Sequence, residues 1–195
     1  MSQLSTHIIL AILWILYCFL HSLMASSVFK NIAKKWMTNS YKQFRLLYNL
    51  FAAIGFIGIV FYQATMRSSL LFNPGLLLRS LAILIAACGL TIMAICVVKY
   101  FKGLSGLQKE TRGMLLIKGI HQWVRHPLYL GTFLFIWGGF IAYPLLSVFL
   151  SNTIITVYTL IGIRFEEKKL VAEFGDAYKA YQRKVPMIIP RGTKK

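Results

Sequence analysis

Between His126 and Ile163 the chain runs for 38 residues without an Asp, Glu, Lys or Arg. A straight helix of that length would measure roughly 57 Å, about twice the ~30 Å hydrocarbon thickness of a bilayer. The segment must therefore fold back. Tyr143-Pro144, near its middle, marks the turn, because proline lacks the amide hydrogen a continuing helix needs and its ring clashes with the preceding turn. Two spans are expected to meet around Gly138 to Pro144. Charge-free runs from Leu46 to Met66 and from Ser80 to Val98, and the lack of any charged residue before Lys30, add three more.

The expected fold is thus an all-α integral membrane protein with about five transmembrane helices. A chain that is 57% hydrophobic and only 14% charged has little to show water. The basic residues set the orientation. Lys30, Lys34, Lys35, Lys42 and Arg45 follow the first span, Lys99, Lys102, Lys109, Arg112, Lys118 and Arg125 join the third to the fourth, and nine more lie from Arg164 to the end. Only Arg67 and Arg79 fall on the other side. Five spans with the N-terminus outside put every basic loop and the C-terminus in the cytoplasm. Met1 to His7 carries no Lys or Arg, so the first span reads as an uncleaved helix and not as a signal peptide. The net charge of +17 flanks membrane spans, where anionic head groups account for it, and nucleic acid is not the expected partner. Cys18, Cys88 and Cys96 sit in apolar runs and imply no disulfide framework.

One domain over 1–195 is expected, with three N-terminal spans in 1–101 and, in 102–195, an interfacial loop, a helical hairpin and a C-terminal helix. The first span is placed at about His7 to Phe29, the second at Phe44 to Met66 and the third at Leu76 to Phe101. Asn73-Pro74-Gly75 forms the outer turn, with Arg79 anchored at the interface. Lys102 to Arg125 is too charged to span, yet its apolar residues suit a membrane surface. Beyond the fifth span, Leu170, Phe174, Tyr178 and Tyr181 recur at helical spacing and give an amphipathic helix one apolar or aromatic face, ending at Pro186.

All five acidic residues lie in the second half of the chain. Glu166-Glu167 read either as a solvated helix end offset by Arg164, Lys168 and Lys169, or as carboxylates near the lipid boundary that hold a functional partner. Arg125-His126-Pro127-Leu128-Tyr129 opens the fourth span. Proline suits the first helical turn and pushes His126 out of helical geometry to the helix entrance, where unpaired amides and the dipole attract anions. The start of span four and the end of span five share the cytoplasmic side, so the two motifs should converge into one site. His7, His21, His121 and His126 lack ligand spacing, and no metal is expected. His21 reads as a helix-packing residue.

In this order, Gly119-Ile120-His121, Val124-Arg125-His126-Pro127-Leu128-Tyr129-Leu130-Gly131, Glu166-Glu167 with Leu170, Phe174-Gly175 with Tyr178 and Tyr181, and Val185-Pro186-Met187-Ile188-Ile189-Pro190 resemble the isoprenylcysteine carboxyl methyltransferase and phospholipid methyltransferase superfamily. Leu20-His21-Ser22-Leu23-Met24-Ala25 and Arg45-Leu46-Leu47-Tyr48 resemble its NnrU-like and methanethiol S-methyltransferase branch. The resemblance implies a cytoplasmic-face pocket for S-adenosyl-L-methionine contacted by Gln108, Gly113, Met114, Leu115, Leu116, His121, His126, Pro127, Leu128, Tyr129 and Glu166. Arg164, Glu167 and Arg183 are the catalytic candidates, either arginine to bind an acceptor carboxylate and Glu167 to orient a neighbouring cation. That family usually has tyrosine where this chain has His121, and arginine where it has Lys184, with Arg183 adjacent.

The function so implied is transfer of a methyl group from S-adenosyl-L-methionine to a lipophilic or small acceptor, a thiol or a prenylcysteine-type carboxylate, that enters from the lipid bilayer. A prokaryotic inner membrane, with the active site facing the cytoplasm, is the expected location. The alternatives are an N-methyltransferase of phospholipids or amines, and a non-enzymatic membrane transporter or assembly factor. A transporter would place polar or broken-helix features near the bilayer midplane, whereas here they gather at one face.

Overall fold

The computed structural model describes residues 2–36, 41–104, 115 and 117–190. Seven α-helices carry them: α1 Gln3–Ala25, α2 Ser27–Trp36, α3 Tyr41–Thr65, α4 Leu76–Leu104, α5 Pro127–Ala142, α6 Leu146–Phe174 and α7 Asp176–Lys184, with a 3₁₀ turn at Gly119–Gln122. Four helical stretches are long and apolar enough to cross a membrane, Gln3–Ala25, Leu46–Thr65, Leu76–Lys99 and Leu146–Phe174. The 16-residue α5 is the shorter apolar partner that makes the fifth. Ile8, Ile12, Phe19, Ile54, Ile57, Phe61, Ile83 and Leu84 are exposed along these helices. Such surfaces suit hydrocarbon, where a helix satisfies all its own backbone groups.

Two boundaries differ from the sequence expectation. The first span stops at Ala25, because Ser26 adopts an extended backbone and its hydroxyl does two jobs, donating to the Leu23 carbonyl and accepting from the Phe29 amide. It thereby closes α1 and opens the separate basic helix α2. At the other end, the fifth span does not end before Glu166: α6 runs unbroken through both glutamates to Phe174. The break comes at Gly175, whose φ of 55° is the left-handed geometry glycine adopts at little cost, so the aromatic face divides between α6 and α7.

The chain forms two compact units, Met1–Leu71 with Leu145–Tyr158, and Phe72–Pro144 with Thr159–Lys195. In the first, Leu10, Trp14 and Ile59 make the buried core, lined by Leu13, Tyr62 and Ile155. His7 is held structurally. Its Nδ1–H donates to the Gln3 carbonyl at 2.7 Å, so Nε2 accepts from the Ser68 hydroxyl at 3.1 Å, and Ser68 in turn accepts from the Ser147 amide at 2.9 Å.

In the second unit α4 and α5 pack backbone to backbone. A methyl group added at Gly89 would lie 2.6 Å from the Gly131 carbonyl, and one at Gly138 would lie 2.7 Å from the Ala86 amide. Small residues let the two helices approach this closely, which is how apolar helices gain contact without a hydrophobic driving force. The α4–α5 pair supports the entrance of α5, where the site lies.

Candidate functional site

Pro127 is the first residue of α5 and His126 caps it with φ −121° and ψ 68°, outside helical geometry, as the Arg-His-Pro order implies. The segment before it is pinned to the C-terminal strap, residues 185–190, that follows α7. The Arg125 and His126 amides donate to the Pro186 and Met187 carbonyls at 2.9 and 3.1 Å, and the Tyr181 hydroxyl donates to the His121 carbonyl at 2.6 Å. The Arg125 guanidinium donates through Nη1 to the Gln182 and Val185 carbonyls. These bonds hold α7 against the α5 entrance.

Glu167 is the hub of this arrangement. Its Oε1 lies 2.7 Å from both Nε and Nη2 of Arg125 and accepts from His126 Nε2–H at 3.1 Å and from the Tyr178 hydroxyl at 3.4 Å. Its Oε2 accepts from Gln182 Nε2 at 3.1 Å. The Arg125 and His126 side chains at the α5 entrance are therefore engaged by the protein's own carboxylate. Burial, reinforced by the Glu167 charge, pushes the Tyr178 phenol far above its ordinary range and keeps it a neutral donor.

Glu166, one residue earlier on α6, has a different setting. Its side chain is 46% exposed, its Oε2 accepts from the Tyr129 hydroxyl at 3.2 Å, and the same oxygen lies 3.8 Å from His126 Nδ1. A cleft of about 240 Å³ opens beside it, lined by Leu115, His121, Arg125, His126, Glu166, Leu170, Phe174, Tyr178 and Tyr181. This is just under the roughly 300 Å³ at which small-molecule pockets begin. His121 Nδ1–H donates to the Arg125 carbonyl at 3.2 Å, and burial holds the imidazole below its ordinary value.

The structure thus brings together Leu115, His121, His126, Tyr129, Glu166 and Glu167. Pro127 is buried at the α5 start with Leu128 half-buried beside it. Arg164 and Arg183 are exposed and do not line the cleft. Gln108, Gly113, Met114 and Leu116 lie outside the described residues. Sequence reasoning placed Arg125 beside the site without its partners and read Tyr178 and Tyr181 only as an aromatic face. Gln182 carried no signal, since a lone glutamine on a basic helix looks like any solvated residue.

The family described as "Protein of unknown function (DUF1295)" matches residues 4–185. The chain belongs to that family. Among relatives of this DUF1295 protein, methanethiol S-methyltransferase 1 of Bradyrhizobium diazoefficiens is 27% identical over 94% of this chain and 66% of its own length. Methanethiol S-methyltransferase of Crocosphaera subtropica is 50% identical over 36% of this chain and 27% of its own. Protein-S-isoprenylcysteine O-methyltransferase of Schizosaccharomyces pombe is 36% identical over 40% of this chain and 33% of its own. The chain spans less than two thirds of the length of these curated relatives. No solved structure matches it.

Proposed function

We propose that this protein is a membrane methyltransferase that uses S-adenosyl-L-methionine, with a small or lipophilic thiol as acceptor and a prenylcysteine-type carboxylate as the second choice. The observation that carries the reading is the division of labour between the two glutamates beside the cleft. Glu167 is saturated by Arg125, His126, Tyr178 and Gln182, which leaves Glu166 as the half-exposed carboxylate of a pocket whose apolar and aromatic wall is Leu115, Leu170, Phe174, Tyr178 and Tyr181 and whose polar wall is His121, His126 and the Glu167-paired Arg125. A carboxylate among apolar and aromatic walls suits a ligand with a cationic amino-acid end and a flat apolar base. Names of the relatives, which specify methanethiol S-methylation and isoprenylcysteine O-methylation, support the order of acceptors.

S-adenosyl-L-methionine, when bound, supplies a methyl group on a positively charged sulfur. The chain's part is to bind and orient. Glu166, steadied by Tyr129, would hold the ammonium or the ribose hydroxyls; His121, His126, Pro127 and Leu128 would shape the pocket beside it. The apolar walls exclude water, and since the sulfonium charge vanishes during transfer, a dry and ordered site lowers the barrier by desolvation and orientation. Glu167 acts as a positioning residue through Arg125 and His126. Arg164 and Arg183, as exposed cations, would serve a carboxylate acceptor. The basic loops argue for a cytoplasmic site in a bacterial inner membrane with the N-terminus outside.

Calorimetry of S-adenosyl-L-methionine on detergent-purified protein tests this. Wild type binds, and Glu166→Gln and Tyr129→Phe bind about tenfold more weakly, a loss near 1.4 kcal/mol, while melting temperatures stay within a degree or two. Equal binding by wild type and Glu166→Gln, or no binding by folded wild type, overturns it.

A further inference from the structure

The short helix after the first span takes no part in the cleft. Only Ser26 separates α2 from α1, a helix long and apolar enough to cross a membrane, so α2 starts near the depth where hydrocarbon gives way to water. Along it Val28 and Ile32 are 68% and 50% exposed, Phe29 is half-buried, and Lys30, Asn31 and Lys35 are exposed. At 100° per residue, Val28 and Ile32 stand about 40° apart, Lys30 lies about 180° from the line between them, and Lys35 flanks that line by about 40°. α2 carries Lys30, Lys34 and Lys35 and no acid, and the first acidic residue of the chain is Glu110. Among the described residues neither Lys30 nor Lys35 makes an ion pair. Exposed apolar side chains at the membrane boundary, beside positive charge that the protein does not offset, mark a helix lying among anionic head groups.

We propose that α2 lies in the plane of the membrane surface and binds anionic phospholipid, with Val28 and Ile32 entering the acyl region and Lys30 and Lys35 reaching lipid phosphates. The inference goes beyond the methyl-transfer reading and does not depend on it. A soluble polyanion would meet the lysines but leave Val28 and Ile32 in water, whereas a bilayer offers hydrocarbon and phosphate a few ångströms apart. Lys35, beside the apolar residues, can lay its aliphatic stem along them and lift its ammonium to the head groups. Ser26 supplies the break that lets the chain leave the direction of α1, since it ends that helix and caps the next. Because α1 already holds α2 at the surface, docking is intramolecular and needs little affinity of its own.

The test follows the reaction of a membrane-impermeant maleimide with single cysteines placed in the full chain in lipid nanodiscs. Cys18, Cys88 and Cys96, all within spans, set the wild-type background. In discs containing phosphatidylglycerol, Ile32→Cys reacts about tenfold more slowly than Asn31→Cys. The ratio drops to about twofold in phosphatidylcholine discs, and to the same value when Lys30→Gln/Lys35→Gln is added, since each lysine contributes about fivefold to association with an anionic surface. Lys168→Gln/Lys169→Gln, exposed on α6, removes as much charge and leaves the ratio unchanged. Val28→Cys reads the same face if Ile32→Cys does not fold. Equal rates for Asn31→Cys and Ile32→Cys in phosphatidylglycerol discs place α2 clear of the membrane and overturn the proposal. A ratio indifferent to lipid charge and to the α2 lysines, or lowered as much by the α6 pair, also overturns it. Protection in phosphatidylcholine discs that appears only when heparin is added assigns the lysines to a soluble polyanion, with the same consequence.

Discussion

Nε and Nη2 of Arg125 both lie 2.7 Å from a single oxygen, Oε1, of Glu167. Side-chain exposures of 9% and 16% put this pair largely out of water. The pair joins three elements, since Arg125 precedes α5, Glu167 lies in α6, and the remaining guanidinium nitrogen reaches the carbonyls that end α7.

Removing one charge from such a pair strands the other. Glu167→Gln is expected to destabilise the protein by about 3 kcal/mol, the usual cost of leaving a buried charge without its partner. Arg125→Lys does not substitute, because an ammonium cannot hold the carboxylate and two carbonyls in one plane. Thermal unfolding in detergent checks this: Glu167→Gln melts well below wild type whereas Glu166→Gln does not. Equal melting of the two variants removes Glu167 from its structural role.

Adjacent glycines in α5 make a second comparison. A methyl group at Gly138 would sit 2.7 Å from the Ala86 amide and 2.8 Å from the Ala82 carbonyl, both backbone atoms that cannot move aside. At Gly139 nothing lies within 4 Å. Gly138→Ala should cost about 2 kcal/mol by forcing α4 and α5 apart, and Gly139→Ala should be neutral or slightly stabilising because alanine is the better helix former. Melting temperatures of the two variants measure it, and a Gly138→Ala protein as stable as wild type contradicts the close packing.

His121 sets a pH dependence. Burial lowers its pKa from 6.5, and the His126 and Lys99 charges act in the same sense, against the Arg125 carbonyl bond and the Glu166 charge. The unfolded chain therefore binds a proton that the folded protein resists. This group's contribution is present above pH 6.5 and is lost as pH falls through the lower folded value. Melting temperature should fall between pH 7 and pH 5, less steeply in His121→Asn. Parallel slopes for the two proteins would assign the acid loss to other groups.

Much of the architecture was readable along the chain because it depends on local chemistry. The 38-residue charge-free run had to bend, and it bends between Ala142 and Leu146 around Pro144. Pro127 had to start a helix, and His126 stands outside it. What local pattern could not reveal were the interruptions made by a single hydroxyl at Ser26 and a single left-handed residue at Gly175, since both residue types also occur inside helices.

The sequence by itself determined that apolar helices traverse a membrane and that a His-Pro helix entrance and a pair of glutamates share one end, because hydropathy, proline stereochemistry and the count of crossings operate along the chain. Which glutamate faces inward was decided only by the tertiary structure. Consecutive helical residues point about 100° apart, so Glu166 and Glu167 must differ, yet nothing local says which of them meets Arg125. The packing of α7 and its strap against residues some sixty positions earlier settles that, giving Glu167 its Arg125, His126, Tyr178 and Gln182 donors and leaving Glu166 beside the cleft.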